Sequence, residues 1–193
     1  MKRKKKVFVT VLCAAALVVA SVLGTMAYLT SQDKVENTFT VGKVAITLDE
    51  AKVTDAGDPI EGADRVKTNT YKLIPGHEYT KDPTVHVTAG SEDSWLFVKV
   101  VDEIAGIEAD TTVAAQMAAN GWTAVEGENN VYAYKATVTS GQDIKVFENF
   151  TIKGDAAVAD YAGKTITIEA YAIQADGFGT AADAWTAAPT SWN

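Results

Sequence analysis

Histidine-based chemistry in this chain must run through His77 and His86, because the sequence holds no other imidazole. His77-Glu78 begins like the helical zinc motif, in which a second histidine follows four residues after the first and the glutamate acts as base. The residue at that position is Lys81. A hydrolytic zinc needs two or three correctly placed imidazoles or carboxylates, an open position and a base. Two histidines separated by Pro83 do not supply that set. His77 follows Pro75-Gly76 and reads as a solvated loop residue, while His86 falls with Thr84 and Thr88 on the polar face of an alternating stretch. Asp55, Asp58, Glu61 and Asp64 cluster near Gly57 and Gly62. Hard cations take several oxygens, yet the calcium loop's glycine at six and glutamate at twelve are missing, so a solvated acidic loop is expected. No Gly-x-Ser-x-Gly elbow and no phosphate-binding glycine loop is present. The one cysteine, Cys13, sits in an apolar run near the start, leaving the rest without disulfides, thiolate metal sites or a cysteine nucleophile. These residues predict no catalytic site, no metal ligand and no cofactor.

The elements around these residues read as mostly β. Asn37 to Val41 and Lys43 to Leu48 form two short strands of opposite parity: Val35, Phe39 and Val41 share one face, and Val44, Ile46 and Leu48 fall on the other. A one-residue shift flips every side chain across a sheet, so Gly42 marks a bulge or a break between separately used strands. Asp49 to Asn69 reads as a long polar excursion, and Pro75-Gly76 as a turn. Thr84 to Thr88 alternates. Trp95 to Val101 is apolar on both faces except at Lys99, as in a central strand covered on each side. One helix is predicted, capped by Asp110, with Val113, Ala114, Met117 and Ala118 as its apolar stripe and Asn120-Gly121 as its end. Trp122 to Val125 and Val131 to Val138 form a hairpin. Ile144, Val146, Phe150 and Ile152 alternate inward around a break at Glu148, and Thr165 to Ile173 is the last strong strand. The tail is rich in Ala, Gly and Thr, and Trp185 and Trp192 are expected to pack it against a sheet. Short strands at turn spacing predict an all-β fold: a two-sheet antiparallel sandwich of jelly-roll type with one short inserted helix.

The N-terminus carries the clearest pattern. Lys2, Arg3, Lys4, Lys5 and Lys6 precede an apolar run from Val7 to Leu23, and Gly24-Thr25-Met26-Ala27 places small residues where a signal peptidase reads. This is the layout of a secretory leader, cut between Ala27 and Tyr28. Uncleaved, the same run would be a membrane anchor at the short edge of the ~20 residues a span needs. The expected organisation is a signal peptide over 1–27, an arm over 28–41 and a β-sandwich domain over 42–193. Cleavage leaves 12 of the 17 basic residues against all 25 acidic ones, a net charge of −13. Such a surface repels nucleic acid and anionic lipid, so contact with membrane is expected only through the uncleaved leader.

The join from Gly24-Thr25-Met26-Ala27-Tyr28-Leu29-Thr30 into Asn37-Thr38-Phe39-Thr40-Val41-Gly42-Lys43-Val44 resembles the TasA/camelysin family of Gram-positive bacteria. Lys72-Leu73-Ile74-Pro75-Gly76-His77-Glu78-Tyr79-Thr80-Lys81-Asp82-Pro83-Thr84-Val85 is similar to that family's proline-glycine turn and following strand, and Glu169-Ala170-Tyr171-Ala172-Ile173-Gln174-Ala175 to its final core strand. The resemblance implies processing by a dedicated SipW-type signal peptidase, a jelly-roll fold, and a place in the extracellular matrix or at the cell surface. It also implies one of two activities, since the family includes biofilm-matrix fibre subunits and camelysin-type proteins described as surface metalloproteases.

Cleavage frees residues 28–41 as an arm with Val35, Phe39 and Val41 on one face. An extended segment of this kind can complete another subunit's sheet by donor-strand exchange, with the chain as its own partner. Repeated head to tail, that contact does not close and makes a filament. The other reading of the arm is an edge strand paired within its own domain. The expectation for function is a secreted, non-enzymatic fibre subunit; the alternatives are a monomeric secreted surface-binding module and, least supported by the histidines, a camelysin-like protease.

Overall fold

The computed structural model describes residues 42–109 and 111–188. The leader, its cleavage point at Ala27 and Tyr28, the arm with Val35, Phe39 and Val41, and also Asp110 and Trp192 lie outside them. The described part is all-β in character, with antiparallel pairing throughout. In chain order come β1 (Ile46–Asp49), β2 (Glu78–Thr80), β3 (Thr84–Val87), β4 (Ser94–Asp102), α1 (Val113–Ala119), β5 (Trp122–Ala124), β6 (Val131–Tyr134), β7 (Asp143–Lys145), β8 (Asn149–Thr151), β9 (Ile166–Gln174) and α2 (Ala181–Ala187). Two 3₁₀ turns lie at Ala105–Ile107 and Val158–Tyr161. The strands form sheets in the orders β1-β3-β7, β2-β8 and β5-β6-β4-β9.

The doubly apolar stretch behaves as its pattern predicts. Leu96, Val98 and Val100 of β4 enter the main core with Val85 and Val87 of β3, while Phe97 faces the other way into a smaller cluster with Ala184 and Trp185. Trp185 packs on Phe97 at 4.9 Å between ring centroids and meets Tyr171 edge-on at 6.4 Å. The expected packing of this tryptophan is therefore observed, and it is carried by a helix. Two α-helices are present among the described residues where one was expected. The second, α2, is a seven-residue, alanine-rich segment capped by the Thr180 hydroxyl, which accepts the Asp183 amide at 3.1 Å. Seven residues are too few for periodicity to reveal a helix, and its stability comes from docking on β4. At α1 the capping side chain is Thr112, whose hydroxyl accepts the Ala115 amide at 3.2 Å, and Gly121 with φ of 93° leads the chain out after Asn120.

The break at Glu148 is a change of sheet. β7 pairs with β3, whereas β8 pairs with β2. Opposite one another in that second pairing, Tyr79 and Phe150 stack at 4.8 Å, and Tyr71 meets both edge-on. The Tyr79 hydroxyl donates to the Lys72 carbonyl and accepts from the Ile74 amide, both at 2.6 Å, which fastens the Pro75-Gly76 turn to the core.

Candidate functional site

The excursion after β1 folds back on the sheet because Arg65 pins it. Apart from Arg3 it is the only arginine in the sequence. Its Nε donates to Asp49 Oδ1 at 2.5 Å, Nη1 to Asp82 Oδ2 at 2.9 Å, and Nη2 to the carbonyls of Asp49 and Asp82 and the hydroxyl of Thr84. A planar guanidinium with five donors suits this many oxygens. The strip that follows, from Lys67 to Leu73, then becomes one wall of a partly open groove of about 890 Å³. The opposite wall is the start of β9 with the 3₁₀ turn at Val158–Tyr161, and the end of β1 contributes Leu48, Asp49 and Glu50. Leu48, Leu73, Ile104, Phe150, Ile166 and Ile168 give the groove apolar surface.

At the polar end of the groove lies a buried ion pair. Lys81 Nζ donates to Glu50 Oε2 at 2.5 Å, Asn69 Nδ2 donates to Glu50 Oε1 at 2.9 Å, and the two charged residues are 8 % and 5 % exposed. Tyr71 lies beside them, its hydroxyl pushed well above the usual phenol range by burial and then by the nearby Glu50 charge. A lysine already committed to a carboxylate is not an available base.

The two histidines stand on different elements and do different structural work. His77 is half-buried, donates from Nε2 to the Ala56 carbonyl at 2.7 Å, and packs edge-on against Tyr79 at 4.6 Å. It is thus a packed residue and not the solvated loop side chain that its position after Pro75-Gly76 suggested. His86 lies on the outer face of the β1-β3-β7 sheet, as its alternation implied, and forms a rung across all three strands: Nε2 to Asp49 Oδ1 at 2.9 Å and Nδ1 to Asp143 Oδ1 at 2.6 Å. Burial works to lower its pKa, but hydrogen bonds to the two carboxylates, which act as acceptors, outweigh that and raise it. In Asp49 the same balance runs the other way: burial raises the pKa, and Arg65 and His86 together bring it below the ordinary value. With both ring nitrogens already facing carboxylates, His86 is committed within the rung.

Asp102, half-buried, and Glu108, buried, which sequence reasoning passed over, form an acid pair. Glu108 is 2 % exposed, Oε2 accepts the Val113 amide at 3.0 Å, and Oε1 has no hydrogen-bond partner by geometry. Burial and then the Asp102 charge push Glu108 up to about 7, and burial raises Asp102 as well, against amide donors at Ile104 and Ala105. The raised pKa favours the neutral form of Glu108, in which the acid pair would gain a hydrogen-bond donor. Asp55, Asp58, Glu61 and Asp64 are all exposed, spread over turns around the Val53–Pro59 bridge. Among the described residues no set of three or more His, Cys, Asp or Glu is placed to hold a metal, and no helix is long and apolar enough to cross a membrane.

No protein-family model, curated protein or solved structure matches this chain. The groove and the two edge strands beside it are therefore the features from which a function must be read. The residues singled out for the arm, Val35, Phe39 and Val41, and the cleavage pair Ala27 and Tyr28 lie outside the described residues.

Proposed function

We propose that this chain is a secreted, non-enzymatic subunit of an extracellular fibre or matrix, built on a jelly-roll sandwich and joined to its neighbours through residues 28–41. The observation that carries this reading is the groove of about 890 Å³ beside β1 and β9, each of which is the outermost strand of its sheet. A slot with apolar surface between two strand edges suits an extended segment, which brings backbone hydrogen bonds and alternate side chains together. Removal of the leader by a SipW-type peptidase between Ala27 and Tyr28 would supply that segment, with Val35, Phe39 and Val41 directed into the slot.

The path of the chain favours a neighbour's groove over its own. Residues 42–45 enter the domain beside Ser91 and Glu92, where the Lys43 carbonyl accepts the Glu92 amide at 3.0 Å and the Ala45 amide donates to the Ser91 hydroxyl at 3.1 Å. The groove begins at the other end of β1, roughly 20 Å away at the rise of an extended strand. Residues 28–41 of one copy laid in the slot of the next would join subunits head to tail, a contact that propagates without closing.

Electron microscopy of the processed protein at rising concentration tests the reading. Filaments are expected from the native sequence and their loss from Phe39→Asp, which places a charge in the apolar slot. A processed protein that stays single at every concentration in sedimentation overturns it.

A further inference from the structure

Two strand edges border the groove, and the hydrogen-bond ladders show which of them is open. In an antiparallel pair, a residue bonds across the ladder with both backbone groups and its neighbour turns both away. On β9 the odd positions bond to β4: the flanking pairs Ala175–Asp93 and Glu103–Thr165, in the same register, are hydrogen-bonded. The even positions Ile166, Ile168, Ala170 and Ala172 therefore turn their N–H and C=O groups outward. Among the described residues none of these groups has a hydrogen-bond partner, although β1 packs alongside part of this edge. Their side chains are the ones packed toward the main core.

On β1 the odd positions bond to β3, as the Thr88 amide to the Ala45 carbonyl shows, and the even positions turn outward. Here the end next to the groove is already taken. Glu50 exchanges both backbone hydrogen bonds with Val66, and the Leu48 carbonyl accepts from Lys67 Nζ. A lysine and a short return segment laid along an edge are the means by which proteins stop a strand from adding there.

We infer that the arriving strand adds to the open edge of β9, extending the sheet to β5-β6-β4-β9-arm, and not to β1. This rests on the fibre reading above, with residues 28–41 of a second copy as the occupant. Arm residues set opposite Ile166 and Ile168 share their face, so the parity of Val35, Phe39 and Val41 directs those side chains into the groove. The outward groups of Ile166 and Ile168 pair with the arm's backbone, and Ile46 of β1 takes no part.

Hydrogen exchange on the unmodified processed protein is the first test, with a synthetic peptide of residues 28–41 added in excess. Exchange at the amides of Ile166 and Ile168 is expected to slow by about tenfold or more, with the Ile46 amide unchanged. Protection at Ile46 without protection at Ile166 and Ile168 overturns the edge assignment and leaves the fibre reading standing. Absence of protection at either edge, together with absence of filaments, removes the fibre reading and this inference with it. A pair of proline variants gives a second test. Ile168→Pro deletes an amide that β4 does not use, and it is expected to abolish filaments while the monomer still melts cooperatively; Ile168→Ala, which keeps the amide, should lose less. Ile46→Pro is expected to assemble. If Ile46→Pro blocks assembly and Ile168→Pro does not, the edge assignment fails.

Discussion

Two buried glutamates of this domain meet opposite fates. Glu50 is 5 % exposed and faces the Lys81 ammonium at 2.5 Å with an amide donor on its other oxygen. Glu108 is 2 % exposed and faces another carboxyl group, with one oxygen unpartnered. Burial is nearly equal, so burial does not separate them. The difference lies in the partner: a fixed cation offsets the loss of water around one carboxylate, whereas burial and the Asp102 charge push the pKa of the other up to about 7, toward the neutral form. Both sit next to the groove's surroundings, Glu50 as a lining residue and Glu108 through Asp102, whose carboxylate accepts the amide of the lining residue Ile104. Neither glutamate is free to act as a base on a bound molecule.

The largest expected effect comes from making Glu50 resemble Glu108. Lys81→Met strands a buried charge and should cost about 3–5 kcal/mol at pH 7, read by urea denaturation. Part of that loss should return when Glu50→Gln is added, because the stranded charge is then gone; an equal loss with and without it would show that the pair acts by packing alone.

Glu108→Gln should act in the opposite direction. The folded-state pKa of about 7 stands above the ordinary 4.5, so between those values the folded chain holds a proton that the unfolded chain has released. Stability conferred by that proton is complete below pH 4.5 and is lost as pH rises to 7, by at most about 3 kcal/mol. The glutamine keeps an acceptor for the Val113 amide and brings a permanent donor for Asp102. Thermal melts should show the variant more stable than the native protein at pH 8 and equal to it at pH 4. A gain of the same size at both would mean that Glu108 is ionised throughout.

The smallest effect belongs to a pair near solvent, and it sharpens the contrast with the buried ones. His86 has a raised pKa, so its contribution is complete below the ordinary 6.5 and is lost as pH rises through the folded-state value. The rung is partly exposed, and His86→Gln should cost about 1 kcal/mol at pH 6. At pH 9 the cost should vanish. A constant cost across that range would assign the rung's value to neutral hydrogen bonds.

Local chemistry was readable from residue order wherever one stretch of chain decides its own conformation. The alternation over Thr84 to Thr88, the doubly apolar run that became β4, the Asn120-Gly121 helix end and the Trp122–Val125 hairpin partner all rest on side-chain periodicity or turn geometry. Those forces act within a few residues, so the chain order contains them. A seven-residue helix such as α2 does not reach the length at which periodicity speaks, and His77 looked like a loop residue because nothing local announces Ala56 or Tyr79. Arg65 was findable in principle, as one of only two arginines in the sequence, but its five oxygen partners belong to Asp49, Asp82 and Thr84.

Residue order by itself determined most of the strand pattern, the charge, and the counts and spacing of cysteine and histidine. Tertiary structure decided which two acids face each other, which lysine pairs with Glu50, and where two sheet edges leave a groove. The physical reason is one of range. Strand and turn preferences come from sterics between near neighbours, whereas desolvation and edge pairing depend on groups that only the folded chain brings within a few ångströms of each other.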